Sequence, residues 1–350
     1  MESPFQLLRL PQLAIAEVLN LLNIEEQIIF SLSSQRAETL FKFLRNKQLK
    51  PKLVIEQDYS SCWIGKYVNQ NRRLSEILIH VCSTRERPRG KVEKVKMGND
   101  LVDLWIDSKN EQFFVRTHWR HLEMGIFVVF DYICNLFGVG IFVLAVSREH
   151  RKMIQMSAGT PIEILDLHDI HGEIDEYDLN YILSEAKSKY LVICVPPKSF
   201  QLKGHHKNHF DSLIVDHACW VTIDYLMSLD CIEIRIRERW FLNEELNRFL
   251  MHWINGGSPR LKCFVADIRD FKEELALKDI NVQETEEQTR IYKSLSKDLE
   301  FENLEIRRND GVIASIKYSG ETFSIAVWPD CDDTLHRSNV VEAMKKLIRV

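Results

Sequence analysis

The sequence predicts an α/β chain, α+β overall, in which a small three-helix N-terminal segment precedes a larger strand/helix domain that closes in an antiparallel meander. Three observations carry this reading. Apolar residues recur at helical spacing in three short segments up to Leu44. From Ile141 onward, compact β-rich runs alternate with helical stripes. After Leu304, alternating runs are separated by Asn309-Asp310-Gly311 and Ser319-Gly320, which is tight-turn chemistry.

Leu10-Pro11 opens the first helical segment. Proline suits a first helical position, and Ile15, Val18, Leu19 and Leu22 follow at i, i+3, i+4, i+7. Asn23, with Glu26 three residues on, reads as a capping box, and Ile24, Ile28 and Leu32 continue at helical spacing. Ser33-Ser34 open a third segment in which Ala37, Leu40, Phe41 and Leu44 share one face. Lys42, Arg45, Lys47 and Lys50 crowd its end, where the helix dipole favours cations. Three helices of about ten residues each exclude little surface from water on their own. Part of the apolar face must therefore meet another surface, either the rest of the chain or a docked partner.

Leu10-Pro11-x-x-x-Ile15-x-x-Val18-Leu19-x-x-Leu22, followed by Ile28-x-Phe30-Ser31-Leu32-x-Ser34-x-Arg36-Ala37, resembles an F-box in the form common in nematode proteins. The resemblance implies a three-helix clamp over residues 4–50 that grips a Skp-type adaptor and, through it, a cullin ubiquitin ligase. It places Leu10, Pro11, Ile15, Val18, Leu19, Leu22, Ile28 and Leu32 at or beside the adaptor interface. Residues 51–350 are then the substrate-recruiting domain, expected to fold without the first fifty residues.

Arg85 to Lys96 is locally basic but broken by Pro88, Gly90 and interleaved glutamates, so it reads as a solvated loop leading into a strand. Leu101 to Ile106 and Phe113 to Val115, separated by Ser108-Lys109-Asn110, form a hairpin-like pair. Met124 to Val146 is nearly all apolar and about the length of a membrane span. Asp131, Asn135, Gly138 and Gly140 interrupt it, favouring a buried helix, a glycine turn and a buried strand over residues 141–146. Further strands are expected at Tyr190 to Val195, Cys231 to Ile236 and Leu261 to Ala266. Helices are expected at Tyr177 to Lys187, Val221 to Ser228 and Asn243 to Trp253. Strand-helix units of this kind resemble irregular leucine-rich repeats, although a conventional α/β sheet gives the same alternation.

Asp211-Ser212-Leu213, Trp220-Val221-Thr222, the helix Leu242-Asn243-Glu244-Glu245-Leu246-Asn247-Arg248-Phe249-Leu250-x-x-Trp253, and Ser258-Pro259-Arg260-Leu261 resemble the type 2 F-box-associated domain of nematodes, over about 212–268. Leu242, Leu246, Phe249, Leu250 and Trp253 share one face of that helix, opposite Glu244, Glu245, Asn247 and Arg248, and Gly256-Gly257 end it. The stripe is expected to be core. A last helix, from about Asn339 to Ile348, follows the meander.

Composition sets the remaining bounds. The chain has 350 residues, 45% of them hydrophobic and 28% charged, enough for two units. Its net charge of −5 argues against a nucleic-acid binder. Eight cysteines without a C-x-x-C pair, set mostly in apolar runs, read as buried free thiols in a reducing, intracellular setting, cytoplasmic or nuclear. The start lacks the basic residues and continuous apolar run of a signal peptide. His205-His206 and His209 lack the glutamate of H-E-x-x-H and read as a polar loop, while Phe137-Gly138-Val139-Gly140 lacks the third glycine of a dinucleotide fingerprint. Neither a nucleophile elbow nor a phosphate-binding loop is present. Glu284, Glu286 and Glu287 read as solvated surface. No catalytic residue, metal or cofactor is expected. The resulting expectation is a non-catalytic substrate receptor of a ubiquitin ligase, with an adaptor and a protein target as partners. Its rivals are an interaction protein without a ligase link and a protein tethered to a membrane through 124–146.

Overall fold

The computed structural model describes residues 7–57, 61–68, 75–84, 91–109, 112–147, 149–157, 159–168, 173–194, 210–285, 289–295, 297–329 and 338–348. The chain divides into two compact units, residues 1–148 with 155–161, and residues 149–154 with 162–350. The boundary expected near residue 50 lies inside the first unit.

In the first unit, a 3-10 turn at Leu7–Arg9 leads into α1 (Gln12–Leu21), α2 (Ile24–Leu32) and α3 (Gln35–Leu44). Pro11 occupies the N-cap, one place before the first helical position, with extended backbone at ψ 147°. Both arms of the capping box form at α2. The Asn23 N–H donates to Glu26 Oε2 at 2.9 Å, and the Glu26 N–H donates to Asn23 Oδ1 at 2.8 Å. Ser34 Oγ accepts from the Ala37 N–H at 3.1 Å and starts α3.

The same unit continues with β1 (Leu53–Gln57), β2 (Ser61–Tyr67), β3 (Ser75–Ser83), β4 (Glu93–Met97), β5 (Asp100–Lys109), β6 (Gln112–Trp119), α4 (Leu122–Phe137) and β7 (Ile141–Val146). These strands lie in the order β7-β1-β2-β3-β6-β5-β4. Two antiparallel meanders meet at the parallel pair β3/β6, and β7 runs parallel to β1. The expected hairpin is the β5/β6 pair, with Lys109 opposite Gln112. Strands β1 to β3, which the sequence reading left unassigned, supply one of the meanders.

The apolar stretch 124–146 does not form one spanning helix, which corrects the membrane-tethered reading. Gly138, at φ 61°, caps α4 in the left-handed conformation, and all six residues of β7 are buried. Asp131 and Asn135 lie on the exposed side of α4, joined by a hydrogen bond of 3.0 Å. Among the described residues no helix is long and apolar enough to cross a membrane. α4 packs across β2, β3 and β6, and its Gly125 comes so close to Trp119 that a Cβ would lie 2.2 Å from the indole Cγ.

The second unit contains β8 (Ile162–Leu167), α6 (Glu176–Glu185), β9 (Ser188–Ile193), β10 (Ser212–Val215), α7 (Ile223–Ser228), β11 (Glu233–Phe241), α8 (Asn243–Ile254), β12 (Cys263–Ile268) and α9 (Glu273–Ala276). α5 (His150–Met156) precedes them, across the division between the units. Then follow β13 (Val282–Glu284), β14 (Arg290–Lys293), β15 (Asp298–Phe301), β16 (Leu304–Arg307), β17 (Ile313–Ser319), β18 (Thr322–Trp328) and α10 (Ser338–Leu347). Strand order is β8-β9-β10-β11-β12-β18-β17-β16-β13. The first five are parallel, and each lies beside its predecessor. The meander β16-β17-β18 joins antiparallel to β12. Among the described residues, β14 and β15 pair only with each other.

Register separates the two faces of the parallel strands. Leu191, Leu213, Ile234 and Phe264 are in line on one face, and the Phe249 ring of α8 lies 4.4 Å from that of Phe264. The α8 stripe is core at Leu246, Phe249, Leu250 and Trp253, but Leu242, at the N-cap, is 55% exposed and leaves the stripe. Tyr190, Ser212, Glu233 and Cys263 are in line on the opposite face. Seven described cysteines are free, five of them buried. Cys331, residues 85–90, the histidines at 205, 206 and 209, and Glu286 and Glu287 lie outside the described residues.

Candidate functional site

Two surfaces are candidates for a functional site. On the N-terminal helices, Ile15, Leu19, Ile28 and Leu32 are buried, as are Ala37 and Phe41. These side chains join the helices to one another and to α4. The Phe41 and Phe137 rings meet edge to face at 5.6 Å, and Ser31 Oγ lies 2.8 Å from the Tyr132 hydroxyl. Gln27 Nε2 donates to the carbonyls of Leu19 at 3.2 Å and Leu22 at 2.9 Å, tying α2 to the end of α1. Of the residues implied by the F-box resemblance, Leu10, Val18 and Leu22 are half-buried and Pro11 is exposed. Leu13, Leu21 and Phe43 were not singled out from the sequence, yet they are 84%, 85% and 71% exposed. The signal for Leu13 and Leu21 is that they are leucines lying off the Ile15-Val18-Leu19-Leu22 stripe of α1, and for Phe43 that it lies off the Ala37-Leu40-Phe41-Leu44 face of α3.

The second surface is the face of the parallel sheet opposite α7 and α8. Over β11, β12 and β18 it is covered by the β14–β15 hairpin, whose Tyr292 and Phe301 pack with Cys263, Val265 and Ala326. Glu233, 5% exposed, joins the hairpin to β11. Its Oε1 accepts from the Tyr292 hydroxyl at 3.0 Å and its Oε2 from the Leu295 N–H at 3.1 Å. Burial pushes this carboxyl up to about 7, against the opposing pull of hydrogen bonds from Leu295, Tyr292 and Ser294.

At the carboxyl ends of the parallel strands the same face carries charged and polar groups in a row. His168 Nδ1 lies 3.1 Å from Asp166 Oδ2, Cys194 Sγ donates to Asp216 Oδ2 at 3.6 Å, and Arg237 Nε pairs with Asp216 at 3.6 Å. The Glu238 N–H donates to Asp267 Oδ2 at 2.7 Å. Burial pushes the Cys194 thiol up, with Asp166 and Asp216 adding to the effect, so it is a poor nucleophile. Three non-glycine residues at this edge, His217, Glu238 and Asp270, have φ of 51°, 59° and 47°. Each such residue costs on the order of 1 kcal/mol or more, and this kind of strain gathers at functional edges. Trp240 and Leu242 are partly exposed beside them.

Residues 202–266 match the F-box associated family. The match contains β10, α7, β11 and α8 and most of β12, close to the segment 212–268 that the sequence singled out. No curated protein and no solved structure matches the chain. Glu233, buried under the hairpin, and the strained residues at the carboxyl edge had no distinguishing signal in the sequence.

Proposed function

We propose that this protein is a non-catalytic substrate receptor of a Skp-cullin-F-box ubiquitin ligase. The N-terminal helices dock the adaptor, and the carboxyl edge of the parallel sheet in the second unit captures a protein target. The match of residues 202–266 to the F-box associated family carries the reading. For adaptor docking, support comes from Leu13, Leu21 and Phe43, which lie exposed on helices already held together by Ile15, Leu19, Ile28 and Leu32. In this reading the four buried residues shape the clamp while Leu10, Pro11, Val18 and Leu22 border the contact.

Capture at the carboxyl edge is supported by Trp240 and Leu242, by the left-handed His217, Glu238 and Asp270, and by the tendency of open α/β sheets to bind at that end of their strands. We also read the sequential order of β8 to β12 as an irregular, leucine-rich-repeat-like stack that presents the edge as a continuous surface. The receptor acts by proximity. It holds a target beside a ubiquitin carrier and raises its effective concentration, so it needs no reacting group of its own. The site of action expected for such a receptor is intracellular.

The test is affinity capture with mass spectrometry, using the whole chain and a Leu13→Asp/Leu21→Asp variant. The reading requires Skp-type adaptor and cullin with the whole chain and their loss with the variant. Equal recovery with both, or none with either, rejects the ligase link.

A further inference from the structure

We propose that the β14–β15 hairpin is a strap latched onto the parallel sheet by Glu233, held tightest while that carboxyl carries a proton and slackened when the proton is lost. This goes beyond target capture and does not depend on it. Among the described residues the strap has no ladder to the main sheet. Its hold includes the apolar contact of Tyr292 and Phe301 with Cys263, Val265 and Ala326, a bond from Lys317 Nζ to the Glu300 carbonyl at 2.9 Å, the Arg290–Glu305 pair at 3.2 Å, and the Glu233 cluster. Among these groups, Glu233 is the carboxyl that burial pushes toward neutrality.

The direction follows from the geometry. A protonated carboxyl donates one O–H and still accepts, and the Tyr292 and Ser294 hydroxyls work as donors or acceptors. Both protonation states therefore keep their bonds under the closed strap. Only the charged state bears the cost of being buried. When the strap lifts, water reaches the carboxylate and that cost disappears, so closing takes up a proton. The recess lined by Ser212, Glu233, Arg235, Cys263 and Ser294 lies alongside.

Among the described residues, the other ionisable groups around the latch are on β11, β12 and the strap itself. Arg235 sits two residues along the same face, its own proton affinity lowered by burial and by Arg237. Cys263 lies in register with Glu233 on β12. On the strap, Tyr292 donates to the latch, and Arg290 pairs with Glu305 at 3.2 Å. Burial pushes the closed carboxyl up to about 7, against an ordinary value of 4.5. Between those two values the open-to-closed ratio should change about tenfold per pH unit, and it should be flat outside them.

Hydrogen exchange on the full chain at pH 5, 6, 7 and 8, corrected for intrinsic rates, tests the strap. Amides of 290–293 and 298–301 should be about 40-fold better protected at pH 5 than at pH 7, with less than about a twofold change from 7 to 8, while β8 to β10 do not follow. Glu233→Gln should flatten the profile. Tyr292→Phe keeps the carboxyl but removes one donor to it, so the slope should persist with its midpoint moved upward. That variant decides the matter if Glu233→Gln does not fold. A flat wild-type profile, a slope that survives Glu233→Gln, a slope shared by every strand of the unit, or an unmoved midpoint in Tyr292→Phe overturns the proposal.

Discussion

The hydroxyls of Ser31 and Tyr132 meet at 2.8 Å in a buried contact that fastens α2 to α4. Burial pushes the Tyr132 phenol above its usual range, despite its hydrogen bond with Ser31. With Phe41 edge-on to Phe137 nearby, the N-terminal helices are part of the first unit's core. Tyr132→Phe should destabilise that unit by about 1 kcal/mol, seen as a lower denaturation midpoint. Removing residues 1–50 would expose Phe137 and Tyr132 together, so residues 51–350 should lose the cooperative melting of the first unit, contrary to independent folding. A truncated chain that melts like the whole one would refute this.

Exposed and buried apolar residues on the helices should behave differently. Leu13→Asp and Leu21→Asp should leave the thermal melt within about 0.5 kcal/mol of wild type, since these side chains lie in solvent. Ile28→Ala, at a position with 0% exposure, should cost about 2 to 4 kcal/mol. Parallel melts and adaptor pull-downs of the three variants separate loss of contact from loss of fold.

Trp253 anchors α8 to the sheet. It is 0% exposed, and the Arg308 guanidinium lies 5.6 Å from its ring centroid. Trp253→Ala should cost about 3 to 5 kcal/mol, through the lost burial and the cavity left behind. Urea titration followed by far-UV circular dichroism would read this as an early transition. A midpoint equal to wild type would place the stripe on the surface.

Thiol reactivity should follow burial. Cys219 is exposed, whereas burial pushes both Cys134 and Cys231 up to about 12. At pH 8 only a small fraction of either buried thiol is thiolate, so iodoacetamide should label Cys219 in the native protein and leave both unmodified until denaturant is added. Peptide mapping of timed samples checks the order. Early labelling of Cys231 would contradict its placement.

Much of the fold was legible because some residues leave little choice. Six consecutive apolar residues from Ile141 to Val146, set after a glycine, read as a buried strand and form one, parallel to β1. α8 was legible from its stripe and its terminal glycines. β1 to β3 were not, because polar residues such as Glu56, Lys66 and His80 break their apolar runs. Glu233 was opaque for a different reason. An acidic residue alternating with Ile232 and Ile234 reads as solvent-facing, yet it is buried by a hairpin some sixty residues further on. At the helices, the strongest stripe proved to be the one they use to pack on one another and on α4. The apolar side chains left exposed, Leu13, Leu21 and Phe43, are those the periodicity passes over.

The joining of β18 to β12 has a consequence for synthesis. Thr322 to Ala326 pair with Asp267 to Cys263, so β12 receives its outer neighbour only after some sixty further residues have been made. At about 5 to 20 residues per second, that apolar edge waits roughly 3 to 12 seconds outside the ribosome with half its ladder empty. The nascent chain is then most open to strand-to-strand association with its neighbours. Crowding on a polysome should therefore lower the yield of this protein more than it lowers the stability of the finished molecule.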